Sequence, residues 1–183
     1  MRRAIYYFTM SLDGYIADAQ GGTTWLSGAP NTDYGYEEFY DSIDTTLLGA
    51  RTYEQMLDMG DFFPYADKEV IVFSSNPHLK RAAECVQITQ DDPAKTLARL
   101  QLAESGGDIW IGGGAQLAGS LFAAGLIDEI HAFIQPIVLG SGVPFLGNGA
   151  DVQRALELTY SKEHPGGIIE ARYTIPKRWR NDI

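Results

Sequence analysis

The chain has 183 residues, room for one ordinary domain, and 45% of them are hydrophobic, which supports a full core and excludes global disorder. A formal net charge of -10 gives a surface that repels phosphate backbones and anionic membranes, so neither nucleic acid nor membrane is an expected partner. No apolar stretch reaches the ~20 residues of a membrane helix, and the lone Cys85 excludes an intramolecular disulfide and a cysteine metal site.

The opening run Ala4 to Phe8 is β-rich and reads as a buried first strand. It meets polar Thr9 and acidic Asp13 too early to be a signal-peptide core, so the chain is expected to be cytoplasmic. Ser11 to Thr32 reads as loop, punctuated by Gly14, Gly21, Gly22, Gly28 and Pro30. Tyr34 to Ser42 reads as a helix, its start marked by Asn31, Thr32 or Asp33, and Thr45 to Leu48 as a strand ended by Gly49. Thr52 to Met59 reads as a second helix, with Thr52 and Gln55 spaced as a capping box. Glu69 to Phe73 and Val86 to Ile88 read as strands, and Cys85 between them as a packed thiol. Asp91-Asp92-Pro93 opens an amphipathic helix to Ala103. The strand Asp108 to Ile111 runs into Gly112-Gly113-Gly114, and a small-residue helix from Gln116 to Ala124 closes at Gly125. Ile127 to Ile134 reads as a strand. Ala155 to Lys162 and Ile168 to Ile175 read as a hairpin around His164-Pro165-Gly166-Gly167. The basic tail residues Lys177, Arg178 and Arg180 read as a solvated end.

Strands separated by helices of ~10 residues imply an α/β fold, a largely parallel sheet covered on both faces with an antiparallel hairpin at its edge. In such sheets ligands settle at the carboxyl ends of the strands, against helix N-termini. Three strand ends carry suitable residues. Gly112, Gly113 and Gly114 allow a ligand to approach the backbone and a helix N-terminus to face an anion, or they simply make a tight turn. They are neither a Rossmann fingerprint, since Leu117 stands where a third glycine belongs, nor a P-loop. Gly49-Ala50-Arg51-Thr52 supplies a fixed cation suited to the extra phosphate of NADPH, or a surface arginine paired with Glu54 or Asp58. Ser74-Ser75-Asn76 offers hydroxyls to a phosphate or ribose, or caps a short helix. One extended dinucleotide accounts for all three together. His78, His131 and His164 have no ligand-like spacing, so no metal is expected. His131, alternating with Glu129 and Phe133, reads as structural or interfacial.

Ile109 to Ala115 resembles the strand–triple-glycine–helix element of dihydrofolate reductases. Leu48 to Glu54 resembles their glycine–arginine–threonine turn, with Ala50 as an extra residue, and Val72 to Pro77 their strand ending in paired serines. Ser11 to Ala17, Leu126 to His131, Pro136 to Gly142 and Pro144 to Leu146 resemble the bacterial branch related to the reductase domain of riboflavin biosynthesis. The resemblance implies a three-layer dihydrofolate reductase-like fold as one domain over residues 1–183, and an NADPH-dependent reductase. It implies that Gly49, Arg51 and Thr52 lie near the adenosine-side phosphates, with Ser74 and Ser75 near the ribose phosphate. Gly112, Gly113, Gly114, Ala115, Gln116 and Leu117 would line the pyrophosphate and nicotinamide, bordered by Thr9, Ile16 and Ala17. Asp13 and Trp25 would shape the loop at the substrate side, and Tyr36 would contact the substrate.

The family's carboxylate at the helix before the glycine–arginine turn corresponds to Asp33, as catalytic acid or equally as a helix cap; Glu37 and Glu38 are fallback candidates. The family's tryptophan–proline entry to that helix is blurred here into Trp25 to Pro30. The expected substrate is a planar nitrogen heterocycle, a pterin or a pyrimidine of the riboflavin route, with a non-catalytic NADPH sensor as the alternative. A homodimer is the family-level expectation, with Pro136 to Leu146 as interface or buried loop.

Overall fold

The computed structural model describes residues 1–26, 33–58, 63–148 and 151–176. Gly28, Pro30, Asn31, Thr32, Met59, Lys177, Arg178 and Arg180, all used in the sequence reading, lie outside the described residues. An eight-stranded sheet runs in the order β5-β4-β3-β6-β1-β7-β10-β9. Its strands are β1 (Ala4–Ser11), β3 (Ile43–Gly49), β4 (Glu69–Phe73), β5 (Val86–Thr89), β6 (Asp108–Gly113), β7 (Glu129–Gln135), β9 (Glu157–His164) and β10 (Ile168–Thr174). Six of them are joined by parallel pairings, while β10 runs antiparallel to both β7 and β9. The expected mixed, mostly parallel sheet with a C-terminal hairpin is thus the observed one.

Alternation along the strands divides the core in two. One face carries Ala4, Tyr6, Leu47, Ile71, Ile109 and Ile111, covered by Leu97 of α3 (Pro93–Gln101) and by Leu117, Ala118, Leu121 and Phe122 of α4 (Ala115–Ala123). The other carries Ile5, Leu48, Val70, Val72, Val86 and Trp110, covered by Phe39 of α1 (Tyr36–Ser42) and Tyr53 of α2 (Ala50–Asp58). Burial on both faces explains why the central strands read as nearly continuous apolar runs.

Several boundaries differ from the sequence reading, each for a local reason. The stretch read as loop contains β2 (Tyr15–Ala17), paired with the still shorter β8 (Val143–Pro144). Neither is long enough to show a period. α2 begins at Ala50, so Thr52 is inside its first turn and no capping box forms; Gln55 Nε2 instead donates to the Gly21 carbonyl at 3.4 Å. β6 extends into the glycine run because Gly113 still pairs with Leu48. α1 begins at Tyr36 behind Gly35, and α3 ends at Gln101. Where the cap is local the expectation held: Asp92 accepts from the Lys95 amide at 3.0 Å and Pro93 follows it.

Candidate cofactor and substrate site

Two strand-to-helix turns abut at the carboxyl edge of the sheet. A Cβ on Gly114 would stand 2.8 Å from Thr52 Oγ1, and one on Gly49 would stand 3.5 Å from the Gly114 nitrogen. Glycine lets the start of α4 approach the start of α2. Gly113 adds φ 109, a conformation that side chains avoid. Gly114 precedes α4 with no side-chain cap, so the first-turn amides of α4 are left to face whatever lies before them.

What lies before them is a cavity of about 590 Å³, within the range of small-molecule sites. Its walls are Gly49 at the end of β3 with Arg51 and Thr52 after it, Ser74 and Ser75 after β4, Gly114, Ala115, Gln116 and Leu117 after β6, and Ile16 and Ala17 of β2. These residues, drawn from four separated segments, were each expected at the site. Ala50, Gln55, Phe73, Pro93, Ser120, Gly21 and Val143 complete the lining and were not expected; only adjacency in the fold reveals them. Among the described residues the lining contains one formal charge, Arg51, and no carboxylate, in a chain of net charge -10. Among the described residues Arg51 makes no ion pair, so the alternative pairing with Glu54 or Asp58 is not seen. Ser74 Oγ accepts from the Asn76 amide at 3.0 Å, closing a turn rather than capping a helix. The uncapped amides, the glycine-permitted backbone approach and the single cation fit a phosphate-bearing dinucleotide.

The other expected residues stand outside this lining. Thr9 and Gly112 are half-buried on β1 and β6, and Gly113 is buried at the end of β6. Asp13 ties two loops together: Ser11 Oγ donates to its carboxylate at 2.7 Å, and the Leu139 and Gly140 amides at 3.1 and 2.8 Å. Those bonds, Ser11 first, lower its pKa below the usual carboxylate value. Trp25 is half-buried, and its Nε1 has no partner among the described residues. Asp33 is exposed and accepts from the Tyr36 amide at 2.7 Å, while Tyr36 lies edge-on to Tyr7 and Trp110. Glu37 and Glu38 are exposed. Half-buried Cys85 packs beside Tyr65. Val143 to Leu146 of the stretch read as interface or loop is half-buried: Phe145 stacks on Phe8 at 5.4 Å, and its carbonyl accepts from Tyr6 Oη at 2.6 Å.

The α1 side of the sheet holds polar groups to which sequence reasoning gave no place in the site. Glu170 on β10 is 1% exposed, bonded to His164 Nε2 at 2.7 Å and to Arg172 Nε at 2.6 Å. Tyr7 stacks on Phe39 with ring centroids 4.2 Å apart. His131 is buried, its Nε2 3.0 Å from Glu129, and its Nδ1 has no partner among the described residues. The available signal was a glutamate two residues from an arginine on a strand also bearing Ile168 and Ala171. Among the described residues no His/Cys/Asp/Glu group could hold a metal, and no helix is long and apolar enough to cross a membrane.

A central sheet with β1 between β6 and β7, an antiparallel β10, and a cavity at the strand ends define the dihydrofolate reductase-like class of α/β proteins. Consistent with this, dihydrofolate reductase of Enterococcus faecalis complexed with NADP(H) superposes with TM-score 0.66 at 22% identity, covering 94% of this chain and 96% of that one. Within that class the chain belongs to the RibD C-terminal domain family, whose profile matches residues 2–169. A Shewanella sp. PV-4 structure named for riboflavin biosynthesis superposes with TM-score 0.80 at 25% identity, covering 95% of this chain and 99% of that one. The uncharacterized protein YwjB of Bacillus subtilis (strain 168) is 39% identical over 144 residues, which are 78% of this chain and 82% of that protein.

Proposed function

We propose that the protein is an NADPH-dependent reductase of a planar nitrogen heterocycle, either pterin-like or a pyrimidine of the riboflavin route. The observation that carries this is the cavity whose only formal charge among the described residues is Arg51, set between the starts of α2 and α4 in an otherwise acidic chain. In this reading Arg51 and Thr52 hold the adenosine-side phosphates, Ser74 and Ser75 the ribose phosphate, and the amides following Gly114 the pyrophosphate. Ile16, Ala17, Gly112, Gly113 and Thr9 border the nicotinamide end. The cofactor supplies the hydride; the chain clamps its ring in a dry, oriented slot, with β2 and β8 as the outer wall. Asp33, Tyr36, Trp25 and the loop held by Asp13 belong to the substrate side, where the Asp33 carboxylate faces a ring N–H. We take the working form to be a cytoplasmic homodimer.

The test is titration with NADPH and NADH, followed by fluorescence or heat, on wild type and Arg51→Ala. NADPH is expected to bind more tightly than NADH, and the variant to lose about tenfold or more in NADPH affinity, the worth of a charged hydrogen bond, with little change for NADH. Binding without heterocycle-dependent NADPH oxidation would leave a sensor rather than an enzyme, and binding of neither nucleotide ends the reading.

A further inference from the structure

The α1 face of the sheet carries a row of side chains that the cofactor cavity does not use. Tyr7 on β1 pairs with His131 on β7, His131 with Arg172 on β10, and Arg172 with Tyr160 on β9. Arg172 is held from two sides. Its Nε donates to Glu170 at 2.6 Å, and its Cζ lies 4.9 Å over the Tyr160 ring. Behind it, Glu170 Oε2 lies 2.7 Å from His164 Nε2, both side chains buried. A buried charge cluster of this kind gives little net stability over an apolar packing of the same volume. What it does achieve is to fix a guanidinium, on a side chain that is 32% exposed, whose Nη groups carry no hydrogen bond among the described residues.

The fixed guanidinium faces α1. One of its Nη atoms would stand 3.8 Å from a Cβ on Gly35, two residues beyond Asp33. Asp33 uses one carboxylate oxygen for the Tyr36 and Glu37 amides, and its other oxygen carries no bond among the described residues. Tyr7 shares this face, with His131 between it and Arg172 in the cross-strand row. Rings of Phe39, Phe133, Tyr36 and Trp110 surround Tyr7, while its hydroxyl has no partner among the described residues. Burial first, then Glu170 and Asp33, push the Tyr7 phenol well above its ordinary pKa, so it stays a donor. His131 Nδ1 is buried beside Tyr7 without a partner among the described residues, the two rings 6.2 Å apart.

A carboxylate alone accepts only, and selects an amino-rich ring edge. Adding a guanidinium and a phenol changes the demand, because those donors need an acceptor on the ligand and leaving them unpaired is costly. We propose that Tyr7 and Arg172, with Asp33, read the edge of a lactam, a ring carbonyl beside a ring N–H, and so favour an oxo heterocycle over its diamino counterpart. This specificity rests on the reading that the α1 face is the substrate side. Glu170 and His164 act as positioning residues that hold Arg172.

The experiment titrates pterin and 2,4-diaminopteridine, which share one ring system and differ at the carbonyl, by quenching of ligand fluorescence, with and without saturating NADP+. Wild type is expected to bind pterin about tenfold or more tightly than the diamino ring. Arg172→Met, which keeps the aliphatic stem, should bring the ratio close to one. Tyr7→Phe, which keeps the stacked ring, should weaken pterin severalfold with NADP+ affinity unchanged. The wild-type ratio stands even if a variant misfolds. Equal or tighter binding of the diamino ring overturns the proposal, as does a ratio unchanged in Arg172→Met. Binding of NADP+ without either ring overturns it and spares the cofactor reading. A pterin preference without NADP+ binding supports it and removes the cofactor reading.

Discussion

Single residues hold loops to the frame in two ways that differ in energy. Gly119 lies in α4 where a Cβ would be 2.0 Å from the Leu146 carbonyl oxygen, a backbone atom that cannot rotate away. At Gly112 the nearest obstacle is the Leu48 Cδ2 end at 2.8 Å, a side-chain terminus that can move. Gly119→Ala is therefore expected to destabilise by about 2–3 kcal/mol and Gly112→Ala by about 1 or less in urea unfolding; the reverse order would show that the 144–147 loop gives way freely. Asp13 works instead by charge. Its pKa is lowered in the folded chain, so its contribution is present above the unfolded value and lost as pH falls through the folded one. Wild type should lose urea resistance more steeply than Asp13→Asn as pH drops from 5 toward the folded pKa, and parallel curves would remove Asp13 as an anchor. Glu170 shows why some residues were not legible. A charged residue on a strand reads as solvated, and only the return of β9 with His164 and the neighbouring Arg172 make its burial tolerable.

At the scale of elements, legibility followed locality. The start of α3 is dictated by Asp92 and Pro93 within one turn, and the central strands by their own short apolar runs, so both could be read. The start of α2 could not, because Gln55 spends its side chain on Gly21, 34 residues away, rather than on its own helix end. β2 and β8 exist only as each other's partner. α2 also shows how thin the support of a functional element can be. Its one fully buried side chain is Tyr53, whose hydroxyl donates to the Lys80 carbonyl at 2.9 Å and accepts from the Ala82 amide at 2.7 Å. Tyr53→Phe would leave both backbone groups short of a partner. A loss of about 1–3 kcal/mol is expected in chemical unfolding. Because Arg51 rides on the same nine-residue helix, NADPH affinity should fall with it; lost stability at unchanged affinity would mean that Arg51 is held by other contacts.

For the whole molecule, the sheet order places β3 between β4 and β6, so the carboxyl ends of these three parallel strands lie side by side at one edge. Parallel strands with helical crossovers were legible in the sequence; their order was not, since it depends on which crossover passes over which strand. The consequence is a cavity whose walls come from segments as distant as Ile16 and Val143. A ligand filling it bridges the chain from its first quarter to its last, and no wall can leave without losing contact with it. Binding energy should then appear as resistance to global unfolding rather than to local opening. At a concentration one hundred times its Kd, NADPH would add about 2.7 kcal/mol. For a chain of this length that corresponds to a Tm rise of roughly 5–10 °C. NADH at the same concentration should give a smaller rise, and Arg51→Ala should erase most of the difference between the two nucleotides. If calorimetric Tm stays constant while binding is plain in titration, the nucleotide occupies a surface that unfolds independently of the sheet, and the strand-end cavity is not its site.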